Sequence, residues 1–85
     1  MDINNLFDQA VLDSKNLFEK PSNDILLQLY AFFKQASEGD VNIEAPSNPF
    51  DFVAKAKFNA WEELKGKSSV EAKQAYIDLV KSLQA

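Results

Sequence analysis

Tyr30 and Lys34 are the residues of this chain whose types and spacing best suit chemistry. They stand one helical turn apart in the run Tyr30-Ala31-Phe32-Phe33-Lys34-Gln35-Ala36, so a phenol and an ammonium share one side of a helix. At ~100° per residue, Ile25, Phe32, Ala36, Leu29, Phe33, Leu26, Tyr30 and Leu27 sweep an arc of roughly 220°. A stripe that faces one core needs little more than ~100°. Lys34 falls inside that arc. A cation beside a phenol on a partly apolar face suits a ligand with a phosphate at one end and a hydrophobic body.

Other residues could complete such a site. Lys57 has Phe58 and Trp61 for neighbours, Lys15 occupies the polar flank of the first helical segment, and Tyr76 sits amid an apolar stripe near the C-terminus. Brought together, these side chains would make a pocket with two or three ammonium groups and two phenols. Taken singly, each has a plainer reading. Tyr76 at helical spacing is a core tyrosine with its hydroxyl at the rim, Trp61 is core, and a lone lysine is a solvated charge. Lys34, set within an apolar arc, is the exception.

Catalysis has little to work with. The chain has no histidine and no cysteine, which removes the commonest general base, the commonest metal ligand and any thiolate nucleophile. Its acids are scattered singly apart from Glu62-Glu63, a solvated helix face rather than a catalytic pair. Gly39 and Gly66 are isolated, so there is no phosphate loop. The expectation is a binding protein, not an enzyme, with no cofactor and no metal.

Composition agrees. Eighty-five residues, 46% of them hydrophobic and seven of them Phe, suffice for one folded domain spanning 1–85 with a single core. All nine basic residues are Lys, against thirteen acids, for a net charge of −4. That balance argues against nucleic acid as a partner, which calls for a basic face. Met-Asp-Ile-Asn-Asn lacks the basic and apolar regions of a signal peptide, and no apolar run approaches membrane-spanning length. A monomeric, cytoplasmic protein is the default expectation.

The elements that must position these residues are helical. Ile3, Leu6, Phe7, Ala10, Val11, Leu17 and Phe18 recur at three- and four-residue steps behind Asp2 as N-cap. Lys20-Pro21-Ser22 breaks that helix and Ser22 caps the second, which runs to about Ser37 and stops near Gly39. The polar connection from Gly39 to Ser47 is long for so small a domain, and reads equally as a functional loop or a spacer. A third helix begins near Asn48-Pro49 or Asp51, carries Phe52, Val53, Ala56, Ala60, Trp61 and Leu64, and ends at Gly66. A capping box, Ser68-Ser69-Val70-Glu71, opens a fourth with Ala72, Ala75, Tyr76, Leu79, Val80 and Leu83 on one stripe. The fold class expected is all-α, with four helices.

Tyr30-Ala31-Phe32-Phe33-Lys34-Gln35-Ala36-Ser37-Glu38-Gly39-Asp40 resembles the Tyr-x-x-[Tyr/Phe]-Lys-Gln-Ala-x-x-Gly-Asp signature of acyl-CoA-binding proteins. Asp51-Phe52, Lys55-Ala56-Lys57-Phe58-Asn59-Ala60-Trp61 and Leu64-Lys65-Gly66 are similar to that family's second block, and Ala75-Tyr76-Ile77 to its third. Phe7, Ala10 and Lys15 fall at equivalent places in its first helix. The likeness covers nearly the whole chain, with a one-residue insertion near Ser47-Asn48-Pro49. It implies an up-down-down-up four-helix bundle that binds long-chain acyl-coenzyme A without changing it. It further implies that Tyr30, Lys34 and Lys57, helped by Lys15, hold the 3′-phosphate, and that Phe33 and Tyr76 border the adenine and the rest of the head group. The acyl chain would lie over the apolar side of helices two and three near Leu26 and Leu27, with Ala31 and Phe32 counted among the ligand-facing residues. Phe33 stands where many members carry a second tyrosine, and Val53 where many carry a lysine, so a head-group site weakened in degree is expected.

Magnitudes assign the two ends of such a ligand different parts. A hydrogen bond to a charged phosphate is worth about 1.5–3 kcal/mol, and each buried methylene up to ~0.8 kcal/mol. Affinity should therefore climb with acyl length, and Lys34→Ala should cost more binding than Lys73→Ala, a lysine placed on the polar side of helix four. Two binding alternatives stay open: a module that receives a partner's amphipathic helix on the exposed part of the arc, and a carrier of free fatty acids.

Overall fold

The structure, a computed structural model, describes residues 2–84; Met1 and Ala85, the ends of the expected domain, lie outside the described residues. Four helices form: α1 (Ile3–Ser14), α2 (Asn23–Glu38), α3 (Phe52–Glu62) and α4 (Ser69–Leu83), with no strand among the described residues. Each begins where a short polar side chain satisfies free backbone N–H groups. Asp2 accepts from Asn4, Ser22 from Ile25, and Asp51 from Ala54. At α4 the capping box is complete, Ser68 Oγ accepting from the Glu71 N–H while Glu71 Oε1 accepts from the Ser68 N–H. The hydrogen bond from the Ser68 N–H first, and the adjacent Ser68 side chain second, hold the Glu71 carboxyl below its ordinary range.

Two helix ends differ from the sequence expectation. α1 stops at Ser14, and does not carry the apolar period on through Leu17 and Phe18. Ser14 Oγ donates to the Val11 carbonyl, Asn16 Nδ2 donates to that of Leu12, and the Lys15 and Asn16 N–H groups turn back to Leu12 and Asp13. These bonds close the last turn, and Phe18 is left 100% exposed. α3 ends at Glu62 rather than Gly66. Tight bonds from Leu64 to Trp61, Lys65 to Glu62 and Lys67 to Leu64 carry the chain on to Gly66, whose φ of 90° permits the reversal into α4.

Cross-links fix the directions. Lys73, near the start of α4, donates to Asn4 at the start of α1, so these two helices run parallel. Ser69, at the first position of α4, donates to the Ala36 carbonyl near the end of α2, so α2 runs opposite to them. Trp61 near the end of α3 donates its indole N–H to the Gly39 carbonyl at the end of α2, so α2 and α3 are parallel. The order is up-down-down-up. Parallel neighbours need a connection that returns the length of a helix, and this gives the segment after Gly39 its spacer role.

α2 packs against α4 on one side and α3 on the other, whereas α1 packs on α4. Core packing covers Ile25, Leu29, Phe32 and Ala36 of the wide apolar arc of α2, whereas Leu26 and Phe33 on the same arc stay exposed. Leu29 and Ala36 join Phe7, Ala10, Ala72, Tyr76, Ile77 and Val80 in the core. The molecule is flattened, with principal extents of 41 × 28 × 15 Å. No helix is enclosed, and α3 is the least covered. No helix among the described residues is long and apolar enough to cross a membrane.

At the Gly39 end a hydrogen-bonded hub ties three helices together. Gln35, 0% exposed, donates from Nε2 to Asp40 Oδ1 (2.8 Å) and to the Lys67 carbonyl (2.9 Å). Asp40 Oδ1 also accepts from the Gly66 N–H at 2.9 Å. The Gly66 bond and then the Gln35 bond hold the Asp40 carboxyl below its ordinary range. Gln35, Gly39, Asp40 and Gly66 therefore set the register of α2, α3 and α4.

Candidate ligand-binding site

An apolar groove of about 380 Å³ lies between the N-terminal halves of α2 and α3, lined by Asn23, Leu26, Leu27, Phe52, Val53, Ala56 and Lys57. Phe52 and Val53 are 73% and 65% exposed, which leaves large apolar side chains at the groove's edge. The α3 contribution follows from its exposed position. It touches α2 alone, so its first turn has no second neighbour to cover it.

One wall of the groove leads to a cluster of cations and aromatic rings. Lys57 Nζ stands 5.3 Å from the centroid of the Tyr30 ring, and Lys34 Nζ stands 6.0 Å from the same ring and 5.5 Å from that of Trp61. Both ammonium groups lie within the ~6 Å at which a ring face attracts a cation. Trp61 is 1% exposed and its N–H is bonded to the Gly39 carbonyl, so it serves Lys34 as a fixed platform. The hydrogen bond from Lys34 to Glu38 raises the lysine above its ordinary pKa, partial burial opposes this, and the Glu38 and Tyr30 charges add to the rise. Lys34 is a permanent cation near neutral pH.

A second aromatic group lies where α1, α2 and α4 meet. Phe33 and Phe7 stack with centroids 5.9 Å apart, Tyr76 meets Phe7 edge-on at 5.2 Å, and Phe33 and Tyr76 are 6.4 Å apart. Phe33 is exposed, so one face of this cluster is open to an aromatic partner. The Tyr76 hydroxyl is turned inward and donates to Ser14 Oγ at 3.0 Å.

The residues gathered here come from all four helices, and a sequence model of the family described as Acyl CoA binding protein matches residues 4–80. The chain belongs to the acyl-CoA-binding protein family. It is 47% identical to "Acyl-CoA-binding protein homolog 1" of Caenorhabditis elegans over 93% of this chain and 91% of that one. It is 49% identical to "Acyl-CoA-binding protein homolog" of Drosophila melanogaster, with the same coverage of both chains. The fold is similar to the crystal structure of Oryza sativa Acyl-CoA-Binding Protein 2, with a TM-score of 0.89, 34% identity, and coverage of 96% of this chain and 90% of that one.

Within this family member, the residues singled out from the sequence fall into four places. Tyr30, Lys34 and Lys57 come together, and Leu26 and Leu27 line the groove that Lys57 adjoins. Phe33 and Tyr76 belong to the neighbouring aromatic cluster. Ala31 is buried, and Phe32 packs against the core. Lys15 is exposed at the C-cap of α1, beside the Ser14 that receives the Tyr76 hydroxyl bond. Asn23, Phe52 and Ala56 are not expected at a ligand from the sequence, and Val53 is expected only as a change at the head group; the parallel pairing of α2 and α3 brings all four to the groove with Leu26 and Leu27. Lys73 does not stand on a purely polar side of α4. It donates to Asn4 and lies 5.9 Å from the Phe7 ring centroid.

Proposed function

We propose that this chain binds medium- to long-chain acyl-coenzyme A thioesters without catalysis, as a monomeric cytoplasmic carrier and buffer of the bound ester. The family supports the ligand class. The observation that carries the finer reading is the place of Lys57, which lines the apolar groove and also stands over the Tyr30 ring that Lys34 adjoins. A groove that opens directly onto paired ammonium groups matches a ligand with a long apolar chain and a phosphorylated head. In this reading Lys34, Lys57 and Tyr30 hold the 3′-phosphate, with Lys15 reaching in from α1. Phe33 offers its open face to the adenine. Leu26, Leu27, Phe52, Val53 and Ala56 receive the acyl chain.

Calorimetric titration with palmitoyl-coenzyme A, free coenzyme A and palmitate, below the lipid's micelle threshold, tests this. Tight one-to-one binding of the thioester, with much weaker binding of the other two, is the expected result. Palmitate binding equal to that of its ester would make the protein a fatty-acid carrier. Binding of none of the three would leave the exposed groove to a partner's helix.

A further inference from the structure

Glu38 is poorly placed for helix stability. It is the last residue of α2, at the negative end of the helix dipole, and no basic residue occupies that last turn. Its partner is Lys34, four residues earlier, and lysine before glutamate is the less favourable order for such a pair. Yet Glu38 Oε2 lies 2.6 Å from Lys34 Nζ, in the one ion pair found among the described residues, with both side chains partly exposed. Exposed pairs of this kind add little to folding. The contact instead bears on the ammonium group that stands between the Tyr30 and Trp61 rings.

We propose that Glu38 sets the affinity of the head-group site by competing with the ligand's phosphate for Lys34. This rests on the reading of Lys34 as a phosphate contact given above. A phosphate that approaches Lys34 meets a carboxylate already bonded to it, and must displace that group or share the cation against like-charge repulsion. The penalty falls on every ligand that carries the phosphate. Free coenzyme A has no acyl chain to offset it, so the competition keeps unloaded head groups out of a site that the ester can still fill.

The test compares wild type, Glu38→Gln, Asp78→Asn, Lys34→Ala and the double variant Lys34→Ala/Glu38→Gln, each titrated with palmitoyl-coenzyme A and with its analogue lacking the 3′-phosphate. Asp78→Asn makes the same change in net charge on the exposed side of α4, where Asp78 is bonded to Gln74. Thermal melts establish that each variant is folded. Glu38→Gln should tighten palmitoyl-coenzyme A binding by up to about fivefold, the range set by an exposed ion pair. Asp78→Asn should change it less than about twofold. The gain should vanish with the analogue and in the double variant. Unchanged or weaker binding by Glu38→Gln, or an equal gain with the analogue, overturns the proposal while leaving acyl-coenzyme A binding intact. If wild type binds neither ligand, the phosphate reading fails first and this proposal falls with it.

Discussion

Lys57 on α3 stands over the ring of Tyr30 on α2, with Nζ 5.3 Å from its centroid. The contact joins the two helices that line the groove, and Lys57 is itself one of the groove's lining residues. The aliphatic stem of Lys57 can line the apolar wall while its ammonium group meets the head of a ligand.

Lys57→Met separates these two parts, since methionine keeps an apolar stem and loses the charge. Palmitoyl-coenzyme A affinity should fall by about 1–2 kcal/mol, five- to thirtyfold, with a smaller loss for the analogue lacking the 3′-phosphate. The salt dependence of binding should flatten with it. Calorimetry at two ionic strengths reads both. An equal loss for the two ligands would place Lys57 in the wall of the groove alone.

Ala56 offers the matching test of the groove. It is half-buried between Val53 and Lys57 on the lining side of α3, so Ala56→Phe fills space that a chain would occupy. The affinity of palmitoyl-coenzyme A should drop toward that of free coenzyme A, which should itself be unchanged. In wild type each further methylene that is buried should add up to ~0.8 kcal/mol. A series of acyl lengths measures this slope, and in Ala56→Phe it should be nearly flat.

Tyr76 separates ring from hydroxyl. Its ring packs on Phe7 and its hydroxyl is used internally, at Ser14. Tyr76→Phe should cost about 0.5–1.5 kcal/mol of stability, the net worth of one hydrogen bond, and change ligand affinity less than about twofold. Tyr76→Ala should cost about 3–5 kcal/mol through the cavity it leaves. Urea melts with parallel ligand titrations check both, and a large affinity loss in Tyr76→Phe would show that the hydroxyl turns to the ligand.

Much of this was legible in the sequence because caps and periodicity are local. Ser22, Asp51 and the Ser68–Glu71 box stop or start helices through groups within three residues of one another. The end of α1 was misread for a related reason. Leu17 and Phe18 continue the apolar period, but the Ser14 and Asn16 side chains take up the carbonyls of the preceding turn and divert the chain. In the site, Tyr30 and Lys34 were legible from spacing within one helix. Partners across helices were not. The wide arc of α2 divides between core packing and the groove, Lys73 reaches back to Asn4, and Phe52 and Val53 join Leu26 only because the long connection returns α3 parallel to α2.

Asp40 makes the hub near Gly39 sensitive to acid. Its carboxylate accepts from Gly66 and Gln35 in the folded chain, and these bonds lower its pKa below the ordinary aspartate value of 3.8. Unfolding therefore weakens its hold on the ionised form. Above the ordinary value both states are ionised and the stabilisation is complete. As pH falls below that value the unfolded chain takes up its proton first, and the stabilisation fades until the folded carboxyl is protonated too. Asp40→Asn should thus be less stable than wild type at neutral pH, with the gap closing in acid. Denaturation midpoints measured from about pH 7 to about pH 2 give the two curves. Parallel curves would mean that the carboxylate charge at Asp40 is not what holds Gln35 and Gly66 in register.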